Sequence, residues 1–190
     1  MTVLYLVRHA HSDWTPDESR PLSPIGMRDA QSLARSLARF PITQILSSPY
    51  KRARQTIDPY AERAGLKIKE DHRFRERDLG DIGLTSFKDA IKKTWLDPDF
   101  AYPEGESIHQ AQNRALKALA EYVHTETTKH VVISTHGNLL TIILNHFDSR
   151  IGFHFWENLT LPDIYYINTD SDEGPEVIRI WQPLSDRTDG

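Results

Sequence analysis

Val3-Leu4-Tyr5-Leu6-Val7-Arg8-His9 sets five apolar residues ahead of an arginine and a histidine. The apolar run is short, continuous and β-branched at both ends, which predicts a strand buried on both faces of a parallel sheet. Such a sheet carries helices on both sides. Residues 23–39 supply the first. Ser23 is a natural N-cap, Pro24 suits the first helical position, and Ile25, Ala30, Leu33, Ala34, Leu37 and Ala38 form an apolar stripe. Pro41 ends it. A second strand is expected at 42–47, centred on Ile45 and Leu46. Ser48-Pro49 repeats the cap-and-proline start. The helix it opens carries Lys51, Arg52, Arg54 and Gln55, is expected to bend at Pro59, and stops at Gly65.

Further along, Leu66 and Ile68 predict a short third strand. Residues 71–105 are rich in charge, proline and glycine and read as an irregular excursion with one helix at 87–95. A loop of that length in a compact domain is more often functional than idle. Ser107-Ile108-His109-Gln110 is a capping box, and Ile108, Ala111, Ala115, Leu119 and Tyr122 give its helix a buried face. Val131-Val132-Ile133 is the fourth strand, followed by Thr135-His136-Gly137 and a helix through Leu140, Ile143 and Leu144. Two late runs, 164–167 and 177–181, flank an acidic turn and predict an antiparallel hairpin. Phe153, Phe155 and Trp156 ahead of it are expected to cover the core. The pattern is that of an α/β protein, a three-layer α/β/α sandwich with a mostly parallel central sheet. Its 190 residues fit a single domain, 1–190, with a frayed polar tail at 184–190.

Composition excludes several function classes. There is no cysteine, so thiolate-bound zinc is ruled out and no oxidising compartment is needed. The net charge of −4 argues against nucleic-acid binding. The start lacks a basic leader and a long enough apolar run for a secretion signal, and no stretch is long enough to span a membrane. A cytoplasmic protein without membrane or nucleic-acid partners is expected.

Three of the predicted strands end in polar residues: Arg8-His9, then Ser47-Ser48 with Arg52 one turn into the helix, then His136-Gly137. In open α/β sheets ligands sit at the carboxyl ends of strands, so these segments face one crevice if the strands are parallel neighbours. Two arginines and two histidines in one crevice suit a phosphate. Guanidinium groups offer forked donors to phosphate oxygens, and helix N-termini add backbone N–H groups. An imidazole with a pKa near ~6.5 is largely unprotonated at neutral pH and can act as nucleophile. A leaving alkoxide needs a proton. Glu76 and Asp78, in Arg73-Phe74-Arg75-Glu76-Arg77-Asp78, are the nearest candidates to give it, and the residues alone do not choose between them.

Leu6-Val7-Arg8-His9-Ala10, Ser47-Ser48-Pro49-Tyr50-Lys51-Arg52-Ala53-Arg54-Gln55-Thr56 and Ser134-Thr135-His136-Gly137 resemble, in order, the three core motifs of the histidine phosphatase superfamily, the phosphoglycerate mutase-like group. Leu22-Ser23-Pro24-Ile25-Gly26, Phe74-Arg75-Glu76 and Gly105-Glu106-Ser107 are similar to its secondary motifs. The resemblance covers about residues 2–145 and points to the small phosphatase branch. It implies that His9 is the phosphorylated nucleophile and Glu76 the general acid. Arg8, Arg52 and His136 would complete the phosphate pocket, with Ser12, Thr15 and Gly137 also binding phosphate or substrate. No metal or organic cofactor is implied. The partner is a small-molecule phosphate ester or a phosphoprotein; nothing specifies the oligomeric state.

The chain departs from the family pattern beside the nucleophile. Ala10 stands where glycine is usual, His11 where an acidic residue is common, and Thr15 where asparagine is frequent. These changes bear on substrate choice. The loop from Trp14 to Leu22 is shorter than in mutase-like members, which implies a more open pocket. His11 and Trp14 either line its mouth or are a surface histidine and a core ring. The stretch 84–104 is expected to form part of a lid, with Phe87, Trp95, Phe100 and Tyr102 suited to an organic group. Arg54 points away from Arg52 along the helix, and Arg114 reads as a structural or solvated charge.

Other functions compete. A phosphotransferase of the cofactor-dependent phosphoglycerate mutase type would use the same His9 and Glu76. The modest stretch 77–135 favours hydrolysis, because transfer requires a pocket closed to water. A metal-dependent hydrolase would use His9, His11 and Asp13, but that leaves Arg8 beside a cation. A phospholigand-binding domain without turnover has no direct support.

Overall fold

The computed structural model describes residues 2–15, 17–123, 129–169 and 174–182. The expected frayed tail at 184–190 and most of the acidic hairpin turn lie outside them. Strand β1 is Thr2–Arg8, and every residue from Thr2 to Val7 is buried. It sits inside a six-stranded sheet of order β3-β2-β4-β1-β5-β6, made with β2 (Gln44–Ser47), β3 (Ile68–Glu70), β4 (Lys129–Thr135), β5 (Asp163–Asn168) and β6 (Glu176–Arg179). β1 through β4 are mutually parallel, whereas β5 runs antiparallel to β1 and forms the expected hairpin with β6.

The period-two alternation of a strand explains why β1 is apolar throughout. Leu4 and Leu6 belong to one core cluster with Ile108, Ala115, Leu140 and Ile143. Val3, Tyr5 and Val7 belong to the other, with Leu33, Leu37, Ile57 and Tyr60. Helices α1 (Pro24–Leu37) and α2 (Lys51–Ala64) thus cover one face, and α4 (Ile108–Val123) and α5 (Gly137–Phe147) cover the other. Between them, the 3₁₀ turn His72–Phe74 and α3 (Phe87–Leu96) lie in the excursion, and α6 (Phe153–Glu157) precedes the hairpin. Among the described residues no helix is long and apolar enough to cross a membrane.

Local signals acted mostly as expected. Ser23 caps α1 by accepting from the Gly26 amide at 3.1 Å. In the Ser107–Gln110 box, the Ser107 amide donates to Gln110 Oε1 at 2.8 Å and the Gln110 amide donates to Ser107 Oγ at 3.1 Å. Gly65 ends α2 with φ +66°, which glycine adopts without strain. Three expectations shift. The buried stripe of α1 is Gly26, Ala30, Leu33, Ala34 and Leu37, whereas Ile25 and Ala38 are exposed. α2 continues as one element through Pro59. It begins at Lys51 after Tyr50, which makes no side-chain cap; the Ser48 hydroxyl accepts from the Tyr50 amide at 3.3 Å and bonds to His136.

Gly26 fixes how closely α1 approaches the segment after β1. A β-carbon there would lie 2.0 Å from the backbone oxygen of His11. Backbone on both sides leaves no flexible group to yield. Gly26→Ala is therefore expected to lower stability by about 1–3 kcal/mol, the range for overpacked interiors, despite alanine's better helix propensity. Urea denaturation of the two proteins measures it.

Candidate active site

The site forms where β1, β4 and β2 end side by side. The His9 amide donates to the Thr135 carbonyl, and the Ser48 amide to the Ser134 carbonyl, each at 2.9 Å. The sheet register therefore carries one residue past each strand and sets His9, Ser48 and His136 at one edge. The rings of His9 and His136 meet edge to face at 5.2 Å, and Tyr50 meets His136 likewise at 5.0 Å.

His9 is 8% exposed. Its Nδ1 lies 2.7 Å from the Ala10 carbonyl oxygen. A carbonyl can only accept, so Nδ1 carries the proton and Nε2 keeps its lone pair. Arg52 Nε donates to that Nε2 at 3.3 Å. The His9 pKa falls to about 3. Burial is the largest cause, the bond to Ala10 opposes it, and the charges of Arg52, Arg8 and Arg20 reinforce it. His136 is also held well below its ordinary value, first by burial and then by His9 and Arg52. Its Nε2 bonds to Ser48 Oγ at 2.8 Å.

Several arginines of this region are paired with acids. Arg54 pairs with Glu70 and Asp58, Arg73 with Asp71 and Glu121, Arg75 and Arg114 with Glu106, and Arg179 with Asp163. Arg8 and Arg52 form no ion pair among the described residues and are oriented by neutral acceptors. Arg8 donates to the carbonyls of Leu159 (2.9 Å) and Thr160 (3.2 Å), and Asp163, opposite Arg8 in the sheet, fixes the Thr160 amide at 3.0 Å. Arg52 also donates to the Glu18 carbonyl at 3.4 Å, and its guanidinium carbon lies 4.8 Å above the Tyr50 ring. Burial brings the Arg52 pKa down to about 10, with Arg20 the next cause. Charge held this way stays available to an anion. Gly137 begins α5 directly beneath Arg8: a β-carbon there would come within 2.9 Å of Arg8 Nε.

Glu76 sits on the N-terminus of α5. Its carboxylate accepts from the amides of Leu139 (2.9 Å), Asn138 (3.1 Å) and Arg77 (2.9 Å). The turn carrying it is clamped from behind. Arg114 donates to the carbonyls of Arg73 (2.5 Å) and Glu76 (3.3 Å), and Glu106 receives Arg114 through both oxygens. Arg114 is thus structural, as expected. Asp78 lines the same pocket but bonds to the Gly80 amide at 2.9 Å within its own loop, whereas Glu76 accepts from α5. A pocket of about 350 Å³ opens beside Glu76, with Tyr50, His72, Arg75, Arg77 and Phe87 in its wall.

The remaining sequence candidates scatter. Ala10 is fully buried against Leu22 and Ala30, so its methyl group is spent on packing. Ser12 Oγ accepts from Arg20 Nε at 3.3 Å, and Thr15 is exposed and offers its carbonyl to Arg20 NH1 at 2.6 Å. His11 bonds to Ser23 Oγ at 2.8 Å, and Asp13 is exposed. Among the described residues no three His, Asp or Glu side chains converge as a metal site would require, so His9, His11 and Asp13 do not form one. Trp14, 79% exposed, is no core ring. Of the four aromatic residues expected in a lid, only Phe87 reaches the pocket. Trp95 packs on the core, and Phe100 and Tyr102 stack with each other and on Lys93. Sequence reasoning assigned nothing to Arg20, Tyr50 or Glu18. The Tyr50 hydroxyl donates to Glu18 Oε1 at 2.5 Å, tying the loop after β1 to the pocket wall.

Comparison with known proteins identifies the family. The family model described as "Histidine phosphatase superfamily (branch 1)" matches residues 4–182. "Uncharacterized phosphatase PhoE" of Bacillus subtilis is 31% identical over 150 residues, 76% of each chain. "Probable phosphoglycerate mutase GpmB" of Proteus mirabilis is 30% identical over 159 residues, 76% of this chain and 74% of that one. Among solved structures, a mycobacterial glucosyl-3-phosphoglycerate phosphatase with inorganic phosphate is 25% identical with a TM-score of 0.75, covering 93% of this chain and 94% of its own. The chain belongs to the histidine phosphatase superfamily, branch 1.

Proposed function

We propose that this histidine phosphatase hydrolyses small organic phosphate monoesters through a phosphohistidine on His9, without a metal ion. The observation that carries the reading is the state of His9: a neutral ring whose protonated Nδ1 is tied to Ala10, leaving Nε2 beside an unpaired guanidinium. In the first step the Nε2 lone pair forms the N–P bond as the P–O bond to the leaving group breaks, and Glu76 delivers a proton to that oxygen. In the second, water attacks phosphorus, Glu76 takes its proton, and the N–P bond breaks to free His9. Arg8, Arg52 and His136 hold the equatorial oxygens in both steps. The likeness to a glucosyl-3-phosphoglycerate phosphatase supports a small ester as substrate. The likeness to probable phosphoglycerate mutases supports transfer instead. The pocket beside Glu76 leaves room for water next to the carboxylate that would take its proton, which supports hydrolysis.

Wild-type protein in excess chelator is expected to release free phosphate from simple esters and to leave 3-phosphoglycerate unisomerised. Labelled phosphate should be recoverable on the chain after an alkaline quench, and His9→Ala should abolish both turnover and label. Near-normal activity in His9→Ala, or activity lost to the chelator, would overturn the mechanism.

Glu76 matters most when the leaving group is poor. Glu76→Gln is expected to slow hydrolysis of an alkyl phosphate by about 100-fold or more, but of p-nitrophenyl phosphate much less, because nitrophenolate departs without a proton. Equal losses on both substrates would remove Glu76 from the acid role.

The depressed histidine values also set a pH dependence of stability. An unfolded histidine titrates near ~6.5, whereas folded His9 stays neutral down to about 3. Between these values the unfolded chain binds more protons, so stability falls as pH drops through this window, by up to about 1.4 kcal/mol per pH unit for each such histidine. Denaturation midpoints at pH 7 and pH 5 should separate more in wild type than in His9→Gln, which carries no titrating ring.

A further inference from the structure

Phe87 is the first residue of α3, and it stays 60% exposed although an apolar ring gains by leaving water. It lines the pocket beside Glu76. That pocket adjoins the two histidines, because Tyr50 in its wall also meets the His136 ring at 5.0 Å and the Arg52 guanidinium at 4.8 Å. A leaving group that takes a proton from Glu76 extends into this space.

The ring is held in place. Ser86 caps α3 by accepting from the Asp89 amide at 3.1 Å, which fixes the first turn. Two turns on, Thr94 Oγ1 accepts from Arg77 Nη2 at 2.9 Å, so the helix that carries Phe87 is tied to the residue after Glu76. Trp156 of α6 lies 6.2 Å from the Phe87 ring, centroid to centroid, and Phe153 stacks on Trp156 at 5.8 Å. Lys88 pairs with Glu157 between the same two helices. Phe87 thus has aromatic support on one side and stays open on the other.

The charges of the wall point to the same kind of ligand. Arg75 pairs with Glu106 at 2.8 Å, and Arg77 is 3% exposed with its Nη1 covered. Glu18 and Asp78 are exposed and form no ion pair among the described residues. A second anionic group on a substrate would meet carboxylates here, with both arginines of the wall engaged or covered. An aromatic ring would meet Phe87, with Tyr50 and His72 in the same wall. The volume, about 350 Å³, is at the small end of ligand pockets and suits a single ring.

We propose that Phe87 determines specificity on the leaving-group side, and that the enzyme takes phosphate monoesters whose leaving group carries an aromatic ring and no second acidic group. This rests on the phosphatase reading and names a substrate class for that site. The ring packs against Phe87 while the ester oxygen faces Glu76.

The test compares kcat/KM for 2-phenylethyl phosphate, ethyl phosphate and 3-phosphoglycerate, all esters of primary alcohols, so leaving-group reactivity does not decide the order. Wild type is expected to prefer 2-phenylethyl phosphate over ethyl phosphate by roughly 10-fold or more, from ring burial and ring–ring contact together. It should also prefer it over 3-phosphoglycerate. Phe87→Ala should remove most of the ring preference, Phe87→Leu should remove part of it, and Phe87→Tyr should keep it. Calorimetric binding of benzylphosphonate against methylphosphonate, which carry no ester bond to cleave, should show the same dependence on residue 87. A wild-type ring preference below about twofold, the least that a ring–ring contact contributes, would overturn the proposal without any variant. So would a preference undiminished in Phe87→Ala, or 3-phosphoglycerate as the best of the three esters. Should Phe87→Ala fail to fold, the loss in Phe87→Leu against retention in Phe87→Tyr decides, and equal preference in those two overturns the proposal. Wild-type protein that hydrolyses none of the esters, yet binds benzylphosphonate more tightly in a way that depends on Phe87, would instead overturn the phosphatase reading and leave the ring contact standing.

Discussion

Parallel pairing of β1 with β4 is the constraint on which the site depends. It sets Arg8 opposite Thr135, so the chain leaves both strands at the same edge of the sheet. His9 and His136 then face each other across the end of one ladder. β2 pairs on the far side of β4 and brings Ser48 and Arg52 to the same edge. A one-residue slip would reverse the faces of β1, exchanging Leu4 and Leu6 with Val3, Tyr5 and Val7 between two differently shaped cores. The burial that fixes register therefore also fixes the spacing of the two histidines.

Positive charge is gathered at that edge by avoiding carboxylates. Arg8 is oriented by the carbonyls of Leu159 and Thr160, and Arg52 by a histidine nitrogen and the Glu18 carbonyl. Acids are present nearby but are engaged elsewhere: Asp163 holds Arg179 and the Thr160 amide, and Glu106 holds Arg75 and Arg114. Glu76, in the pocket wall with Glu18 and Asp78, is satisfied by backbone amides at the start of α5. The guanidinium charge is thus left for a ligand, and both imidazoles are kept neutral by burial and by that same charge.

The departures from the family pattern are absorbed unevenly. The methyl group of Ala10 enters a small cluster with Leu22 and Ala30. His11 bonds to the serine that caps α1, so the residue beside the nucleophile helps dock a helix. The predicted lid is mostly not one: its aromatic residues divide between core, surface stacking and, for Phe87 alone, the pocket.

The sequence by itself determined what local patterning can encode. The unbroken apolar run of β1 specified a strand with helices on both sides, Ser23 and the Ser107–Gln110 pair specified helix starts, and Gly65 specified a stop. Ordered motifs at three strand ends marked His9, Arg52 and His136 as neighbours. Tertiary structure decided what depends on distance between remote segments. It gave the Ser48 hydroxyl a partner in His136 besides the Tyr50 amide, and it set Glu76 rather than its pocket neighbour Asp78 on the amides of α5. It also tied Arg20 to Ser12 and to the Thr15 carbonyl. The physical reason is that periodicity reports which face of an element is buried, whereas the role of a charge depends on which partners reach it, and those partners here lie tens of residues away in sequence.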